Sequence, residues 1–129
     1  MKRALLVLAV VCVFSACTKN GAGNASIFGR YELRASYGGL SYFHQTFPAG
    51  NGNIFQFKSD STYVRYANGT IAESGNYHIK ITGTDNGARY GTITFNEPVY
   101  LDNFRIKADT ITIGTTAADG IASDYAKLK

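Results

Sequence analysis

Hydrophobic and polar residues alternate regularly in the segment IFGRYELRASY. One face of this segment would carry Ile27, Gly29, Tyr31, Leu33, Ala35 and Tyr37. The opposite face would carry Arg30, Glu32, Arg34 and Ser36. An alternation of period two over this length is typical of a β-strand that buries one face. We therefore predict a first strand over residues 27–37.

Two turn signals predict the register of the next strands. Asn68-Gly69 is typical of a two-residue hairpin turn, and a second turn is predicted at Ser59-Asp60. With these turns, Val64 faces both Phe55 and Glu73 on one side of the sheet. The two registers agree on one inner face, which consists of Phe55, Phe57, Val64, Tyr66, Ile71, Tyr77, Ile79 and Ile81. A shift of either register by one residue would turn the affected residues to the other face.

Further turn signals divide the rest of the chain into short strands. Asp85-Asn86-Gly87 precedes a strand that directs Ile93 and Phe95 inward. A turn at Ala108-Asp109 gives two facing pairs, Ile106 with Ile111 and Phe104 with Ile113. The facing of the last strand stays open, because Tyr125 and Leu128 cannot both point inward without a bulge.

Eight strands are predicted in total. They cover residues 27–37, 52–58, 61–67, 70–82, 89–96, 99–107, 110–114 and 121–129. Short connections make neighbouring strands antiparallel, and closure of the sheet removes its exposed edges. The predicted fold is therefore all-β, an eight-stranded antiparallel up-and-down barrel.

The first residues of the chain have the pattern of a secretory signal. Lys2 and Arg3 precede the apolar run ALLVLAVVCVFSA, which is shorter than the about 20 residues of a membrane-spanning helix. Phe14-Ser15-Ala16-Cys17 resembles a bacterial lipobox, in which a peptidase cuts before a lipid-modified cysteine. An ordinary signal peptide fits less well, because bulky Phe14 would precede the cut. A buried core helix would lack a cap at its end.

The lipobox resemblance implies three parts of the chain. Residues 1–16 would be the signal peptide, residues 17–26 a flexible tether, and residues 27–129 the barrel domain. Cys12 would leave with the signal, and Cys17 would carry the lipid that anchors the protein to a membrane. By the same resemblance, the residue after the cysteine indicates the outer membrane of a bacterial cell envelope.

The charge of the chain does not indicate a nucleic-acid partner. The sequence has 13 Lys and Arg against 9 Asp and Glu, with a formal charge of +4. Removal of Lys2 and Arg3 with the signal would leave 11 basic residues against the same 9 acidic ones. The remaining basic residues are scattered along the chain and form no basic stripe, so no nucleic-acid binding is expected.

The barrel region resembles bacterial lipocalin-like lipoprotein domains. Gly29-Arg30-Tyr31 is similar to the G-x-W signature of lipocalins, with Tyr31 in the position of the tryptophan. The segments IFQFKSDSTYVRYANGTIAESGNYHIKI and FRIKADTITI have a similar rhythm of strands and turns. The resemblance implies that Lys127 or Lys129 of the last strand packs over the ring of Tyr31. It also implies a loop over the open mouth of the barrel and a bound ligand.

Motifs for catalysis or metal binding are missing from the sequence. His44 and His78 are far apart, and the predicted register directs His78 outward. Ser41 and Ser74 lack the context of a nucleophile elbow, and Gly21-Ala22-Gly23 lacks that of a phosphate-binding loop. We therefore predict a protein that is not an enzyme, with no metal and no cofactor.

Glu73 is the most informative candidate for ligand contact. The register places it on the inner face, where a carboxylate must be paired or hydrogen-bonded. It could orient a polar group of a ligand. Alternatively, it could lie at the barrel rim, bonded to a tyrosine or water, or a bulge at Gly75 could turn it outward.

The other candidates are aromatic. The long connection 38–50 carries Tyr42, Phe43 and Phe47, and it could act as a lid, present a surface to a protein partner or plug the barrel end. The remaining candidates lie on predicted strands and comprise Tyr31, Phe55, Tyr66 and Tyr77. Because an eight-stranded barrel is just wide enough for side chains to fill it, the interior volume is decisive.

Two functions follow from these observations. The first is non-catalytic binding of a small, partly apolar molecule in or at the mouth of the barrel by a membrane-anchored lipoprotein. The alternative is a protein-interaction module, inhibitory or scaffolding, with a side-chain-filled barrel.

Overall fold

A computed structural model describes residues 27–129 of the chain. The predicted signal peptide, the lipidation site Cys17 and the tether 17–26 lie outside the described residues, and they stay predictions. The prediction of an all-β barrel is confirmed over the described part.

Nine strands and one short helical turn make up the described chain. The strands are β1 (Gly29–Gly38), β2 (Phe43–Thr46), β3 (Ile54–Phe57), β4 (Thr62–Ala67), β5 (Thr70–Asp85), β6 (Ala88–Asn96), β7 (Val99–Lys107), β8 (Thr110–Gly114) and β9 (Ile121–Lys127). A 3₁₀ turn, Ala117–Asp119, lies between β8 and β9. All neighbours are antiparallel, and pairing of β1 with β9 closes β1 and β3–β9 into an eight-stranded up-and-down barrel.

The ninth strand, β2, corrects one prediction. The residues 38–50 were predicted only as a long connection between the first two strands, but part of this connection returns along β1 as a hairpin. Tyr37 pairs with His44 and Ala35 with Thr46 in this hairpin. The first half of β1 pairs with β3 and the second half with β2, so β2 extends the sheet beyond the barrel wall.

Several predicted registers are confirmed. The Asn68-Gly69 turn brings Tyr66 opposite Ile71. The turn at Ala108-Asp109 pairs Ile106 with Ile111 and Phe104 with Ile113. Two further predicted inward residues, Ile93 and Phe95, are fully buried.

The turn between β3 and β4 is longer than predicted, and this reverses the facing of β4. The Lys58 amide donates to the Thr62 carbonyl at 2.9 Å, so the loop has three residues rather than the two at Ser59-Asp60. The Asp60 carboxylate accepts from the Thr62 amide at 3.0 Å, and Ser61 takes a left-handed φ of 66°. The added residue makes Tyr63, rather than Thr62, the partner of Phe57.

The shifted register corrects the predicted facing of Tyr66 and Val64. Phe55 pairs with Arg65, so Tyr63 and Arg65 point into the barrel, and Tyr66 points outward. The Tyr66 hydroxyl donates to Gln56 at 3.4 Å, and the Arg30 guanidinium lies 5.9 Å from the Tyr66 ring centroid on the outer wall.

A bulge in β5 restores the predicted facing farther along the chain. Arg65 pairs with Glu73 and Tyr66 with Ile71, which leaves Ala72 without a partner in the ladder. Ile71 is 61% exposed instead of inward. Beyond the bulge, Tyr77 and Ile79 are buried as predicted, whereas Ile81, near the end of the strand, is 37% exposed.

A second bulge, at Arg34, divides β1 into two parts. Leu33 pairs with Tyr125, and Ala35 pairs with Asp124, which points to the outer wall. Tyr31 faces inward as predicted, but Tyr37 lies outside, where its hydroxyl donates to Asp124 at 3.2 Å. The regular alternation predicted over residues 27–37 therefore changes face at this bulge.

One end of the barrel, which contains the turns 58–61, 86–87 and 108–109, is filled by side chains. We refer to it as the filled end. Tyr31 contacts Phe57 edge to face at 6.1 Å between ring centroids, and Phe57 contacts Tyr77 at 5.0 Å. The Tyr77 hydroxyl donates to the Lys58 carbonyl at 3.0 Å, and Ile27 is fully buried in the same core. Burial of these aromatic rings supplies much of the hydrophobic free energy of folding.

Candidate functional site

A polar cup occupies the opposite end of the barrel interior. We call this the open end, and it contains the connections 39–42, 47–53, 68–69, 97–98 and 115–120. The cup has a volume of about 280 Å³. It is lined by Phe55, Arg65, Glu73, Tyr100, Asp102, Ile113, Ile121, Ser123 and Tyr125. These residues come from β3, β4, β5, β7, β8 and β9, so the closed barrel is required to bring them together.

An ion pair between Arg65 and Glu73 forms part of the cup wall. The guanidinium donates from Nε to Oε2 at 3.1 Å and from Nη2 to Oε1 at 2.8 Å. This two-point geometry orients both side chains more firmly than a single contact would. The prediction that Glu73 points inward and is paired is confirmed, although its neighbour on β4 is Arg65 rather than Val64.

Aromatic rings form the floor and another part of the wall. Phe55 is buried at the base of the cup and contacts the Tyr125 ring edge to face at 5.2 Å between centroids. Tyr100 stacks on Phe95 at 4.6 Å. Burial raises the pKa of Tyr125 to about 12 and that of Tyr100 well above its usual range. Both hydroxyls therefore remain protonated at neutral pH.

Asp102 also faces into the cup. It pairs with Ile93, which is fully buried, so both residues point to the barrel interior. One carboxylate oxygen accepts from the Asn103 amide at 2.8 Å. Within residues 27–129 the ion pairs are Arg65–Glu73 and Arg34–Glu32, so Asp102 forms no ion pair with a Lys or Arg there.

The predicted ligand-contact residues of the strands lie in three separate regions of the barrel. Phe55 and Glu73 line the cup. Tyr31 and Tyr77 belong to the core of the filled end, and Tyr66 lies on the outer wall. The structure does not bring these residues together into one site.

The aromatic residues of the connection 38–50 lie outside the cup. Tyr42 and Phe43 line a groove of about 470 Å³ between the β1–β2 hairpin and the connection after β8. This groove is also lined by Tyr37, Gly38, Gly39, His44, Thr116, Ala118 and Asp119. Phe47 follows β2, where its amide donates to the Arg34 carbonyl at 2.8 Å. The groove is larger than the cup, but it contains no ion pair.

Sequence reasoning missed Arg65, Tyr100, Asp102 and Tyr125 as a group. A signal for two of them was present: the inward facing of Phe104 implies, at period two along β7, that Asp102 and Tyr100 face inward as well. Arg65 could not be found in this way, because its facing depends on the length of the loop before β4.

The barrel also has the cation–aromatic contact that the lipocalin resemblance implied. Lys127 Nζ lies 5.9 Å from the ring centroid of Tyr31 at the filled end. Gly29 has a φ of 137°, and a Cβ there would lie 2.9 Å from Lys127 Cε. The small residue of the Gly29-Arg30-Tyr31 motif thus makes room for the lysine stem.

No group of three or more His, Cys, Asp or Glu side chains within residues 27–129 could hold a metal ion. The described part likewise has no helix with the length and apolar character needed to cross a bilayer.

Comparisons of the chain with protein families, with curated proteins and with solved structures find no match. The function proposed below therefore rests on the residues of the site.

Proposed function

We propose that this protein binds a small, partly apolar molecule in the cup at the open end of its barrel, without catalysing a reaction. The observation that supports this most strongly is the contrast between the two ends. Side chains fill one end, whereas at the other charged and hydroxyl groups converge on a cavity of about 280 Å³ with aromatic walls. A concave site with apolar walls and a few oriented polar groups is typical of ligand binding.

The roles of the cup residues follow from their chemistry. Phe55, Tyr100 and Tyr125 offer apolar surface to the body of a ligand. The Arg65–Glu73 pair is preorganised, because each side chain holds the other before a ligand arrives. In this proposal, Glu73 and Arg65 orient the polar part of the ligand.

Membrane anchorage through Cys17 is a second part of the proposal. It rests on the lipobox resemblance and the tether composition of the sequence. Ile27, the first described residue, lies in the core of the filled end, opposite the cup. A lipocalin-like lipoprotein held in this way in the bacterial outer membrane would keep its cup on the end of the barrel away from the anchor.

Native mass spectrometry tests the binding site. The purified protein should carry a small-molecule adduct, and Ser123→Phe, which fills the cup, should remove it. Ser59→Phe, at the exposed turn of the filled end, is the matched control and should keep the adduct. An adduct that survives Ser123→Phe, or its absence from every preparation, would count against a cup ligand.

Metabolic labelling with a palmitate analogue tests the anchor. Labelling and membrane fractionation should be lost in Cys17→Ser and kept in Cys12→Ser. Equal labelling of both variants would refute the proposed lipidation site.

A specific observation also favours the alternative function, protein interaction. The strand β2 pairs only with β1 among the described residues, so its second edge is available for addition of a strand from a partner. Leu40 and Tyr42 beside it are 83% and 91% exposed. A photo-crosslinking residue at Tyr42 should capture a defined protein in cells, and the same residue at Tyr90, on β6, should not.

A further inference from the structure

We infer that the ligand of the cup is an organic cation, an ammonium group attached to an apolar or aromatic body. This inference rests on the proposed function, because it assigns a chemical class to the molecule that the cup would bind. Three independent features support it: the charge inside the cup, the chemistry of its walls, and the charge of the rim.

The charged side chains that line the cup leave one carboxylate without a counter-ion. Arg65 is bound at two points by Glu73, so these two charges offset each other. Asp102 lines the same cavity and has no Lys or Arg partner within the described chain. The formal charge of the lining is therefore negative, and a cationic ligand would supply the missing partner of Asp102.

The walls of the cup are suited to a cation with an apolar body. The faces of aromatic rings attract ammonium groups, and the attraction increases when water is excluded. Tyr100 and Tyr125 line the cavity, whereas the Phe55 ring at its base is stacked on Phe57 and Phe95 and contributes apolar surface only. The hydroxyls of both tyrosines are neutral at neutral pH, so they add no charge of their own and can accept a hydrogen bond from the ammonium group.

The rim of the open end is acidic. Its connections, 39–42, 47–53, 68–69, 97–98 and 115–120, contain Glu97 and Asp119 but no Lys or Arg. Lys58, Arg89, Lys107, Lys127 and Lys129 lie at or next to the filled end. Arg34 and Arg65 lie nearer the open end, and each of them is paired with a glutamate. A cation approaching the open end therefore meets an attractive field, which raises its rate of association.

An anionic ligand fits the same cup poorly. It would have to share or break the two hydrogen bonds between Arg65 and Glu73 to reach the guanidinium. It would then lie in a cavity that also holds the carboxylate of Asp102, whose charge repels it.

Three probes of nearly the same shape and different charge test the inference. Benzylamine is cationic at neutral pH, benzyl alcohol is neutral and benzoate is anionic. The affinities of the three probes for the purified full-length protein are measured by NMR titration at low salt. Benzylamine should bind about tenfold more tightly than benzyl alcohol, which is the size of effect expected from a cation–π and charge contact, and benzoate should bind weakest.

Matched variants test whether the preference for the cationic probe depends on Asp102. Asp102→Asn should reduce the preference for benzylamine over benzyl alcohol about tenfold. Asp85→Asn removes an exposed carboxylate at the filled end and should leave all three affinities unchanged. Glu73→Gln releases Arg65 from its pair and should improve benzoate binding relative to wild type. Thermal unfolding of each variant checks that the barrel remains folded.

The outcomes separate this inference from the proposed function. If benzyl alcohol or benzoate binds in the cup as tightly as benzylamine, or if Asp102→Asn leaves the preference unchanged, the cup binds ligands and the cation assignment is wrong. If none of the three probes shifts the signals of cup residues and no adduct is seen by native mass spectrometry, both proposals are overturned.

Discussion

Arg65 and Glu73 lie directly opposite each other on β4 and β5, and the guanidinium binds both carboxylate oxygens inside the open end of the barrel. Their side chains are 35% and 24% exposed, so the pair is only partly shielded from water. Its position depends on the bulge at Ala72, which aligns Glu73 with Arg65 while Ile71 faces outward.

A double-mutant cycle measures the strength of this pair. We expect Arg65→Met and Glu73→Gln to be coupled by about 1 kcal/mol in the free energy of unfolding, because the pair is bidentate but partly exposed. Urea denaturation at low salt gives the coupling energy, which should decrease as salt is added. The cycle of Lys80→Met with Asp85→Asn, two exposed residues of β5, should be additive. Additive losses at Arg65 and Glu73 would contradict the expected coupling.

Glu32 anchors the connection that follows β2, although the sequence alternation placed it on a solvent-facing side. It is only 3% exposed. Its carboxylate accepts from the Gly50 amide at 2.8 Å and the Gly52 amide at 3.4 Å, and it forms an ion pair with Arg34. Glu32→Gln should reduce the free energy of unfolding by about 1–3 kcal/mol, because a buried acceptor loses its charge-assisted bonds. Urea denaturation at neutral pH measures the loss, and the exposed Glu97→Gln is the control.

The same carboxylate predicts a loss of stability in acid. The hydrogen bonds from Arg34, Gly50 and Gly52 lower the pKa of Glu32 below its ordinary value, despite the opposing effect of burial. As the pH falls, Glu32 is therefore protonated first in the unfolded chain, at about pH 4.3. The contribution of Glu32 to the free energy of unfolding is lost as the pH falls further through the pKa of the folded state. Stability measured against pH should decline less steeply in Glu32→Gln than in wild type. Equal slopes would show that Glu32 does not contribute.

Gly29 should be sensitive to the addition of a single methyl group. A Cβ at this position would lie 2.9 Å from Lys127 Cε, and the φ of 137° is unfavourable for any side chain. We expect Gly29→Ala to cost about 1–3 kcal/mol in the free energy of unfolding. Lys127→Met, which keeps the stem and removes the charge over Tyr31, should cost only about 0.5–1 kcal/mol. Thermal unfolding measures the loss of stability in both variants. The control Lys129→Met should leave the stability unchanged.

Tyr125 should contribute to alkaline unfolding. Burial raises the pKa of Tyr125 to about 12, whereas a tyrosine in the unfolded chain ionises at about pH 10. Its stabilising contribution is therefore complete below about pH 10 and is lost as the pH rises through about 12. Tyr125→Phe should reduce the pH dependence of unfolding in this range, as measured by urea denaturation and tyrosinate absorbance. Tyr42→Phe, at a 91% exposed position, is the matched control.

Two residues of the cup, Phe55 and Glu73, were predicted from the sequence as ligand contacts. The inward facing of Glu73 was predicted although the register used for it was wrong, because the omitted residue in the β3–β4 loop and the omitted bulge at Ala72 cancel. Tyr66 lies between these two irregularities, so its predicted facing was wrong. The hairpin strand β2 was missed because its four residues alternate too briefly to give a periodic signal.

The sequence by itself determined the number of barrel strands, their approximate limits and most of the turns. It did so because alternation of period two and residues such as Asn68-Gly69 act over a few neighbouring positions. Only the tertiary structure decided which face of β4 points inward. A loop residue or bulge costs little, whereas burial of Tyr63 and Phe57 on the same side stabilises the whole sheet. That choice places Arg65 beside Glu73 and so creates the cup.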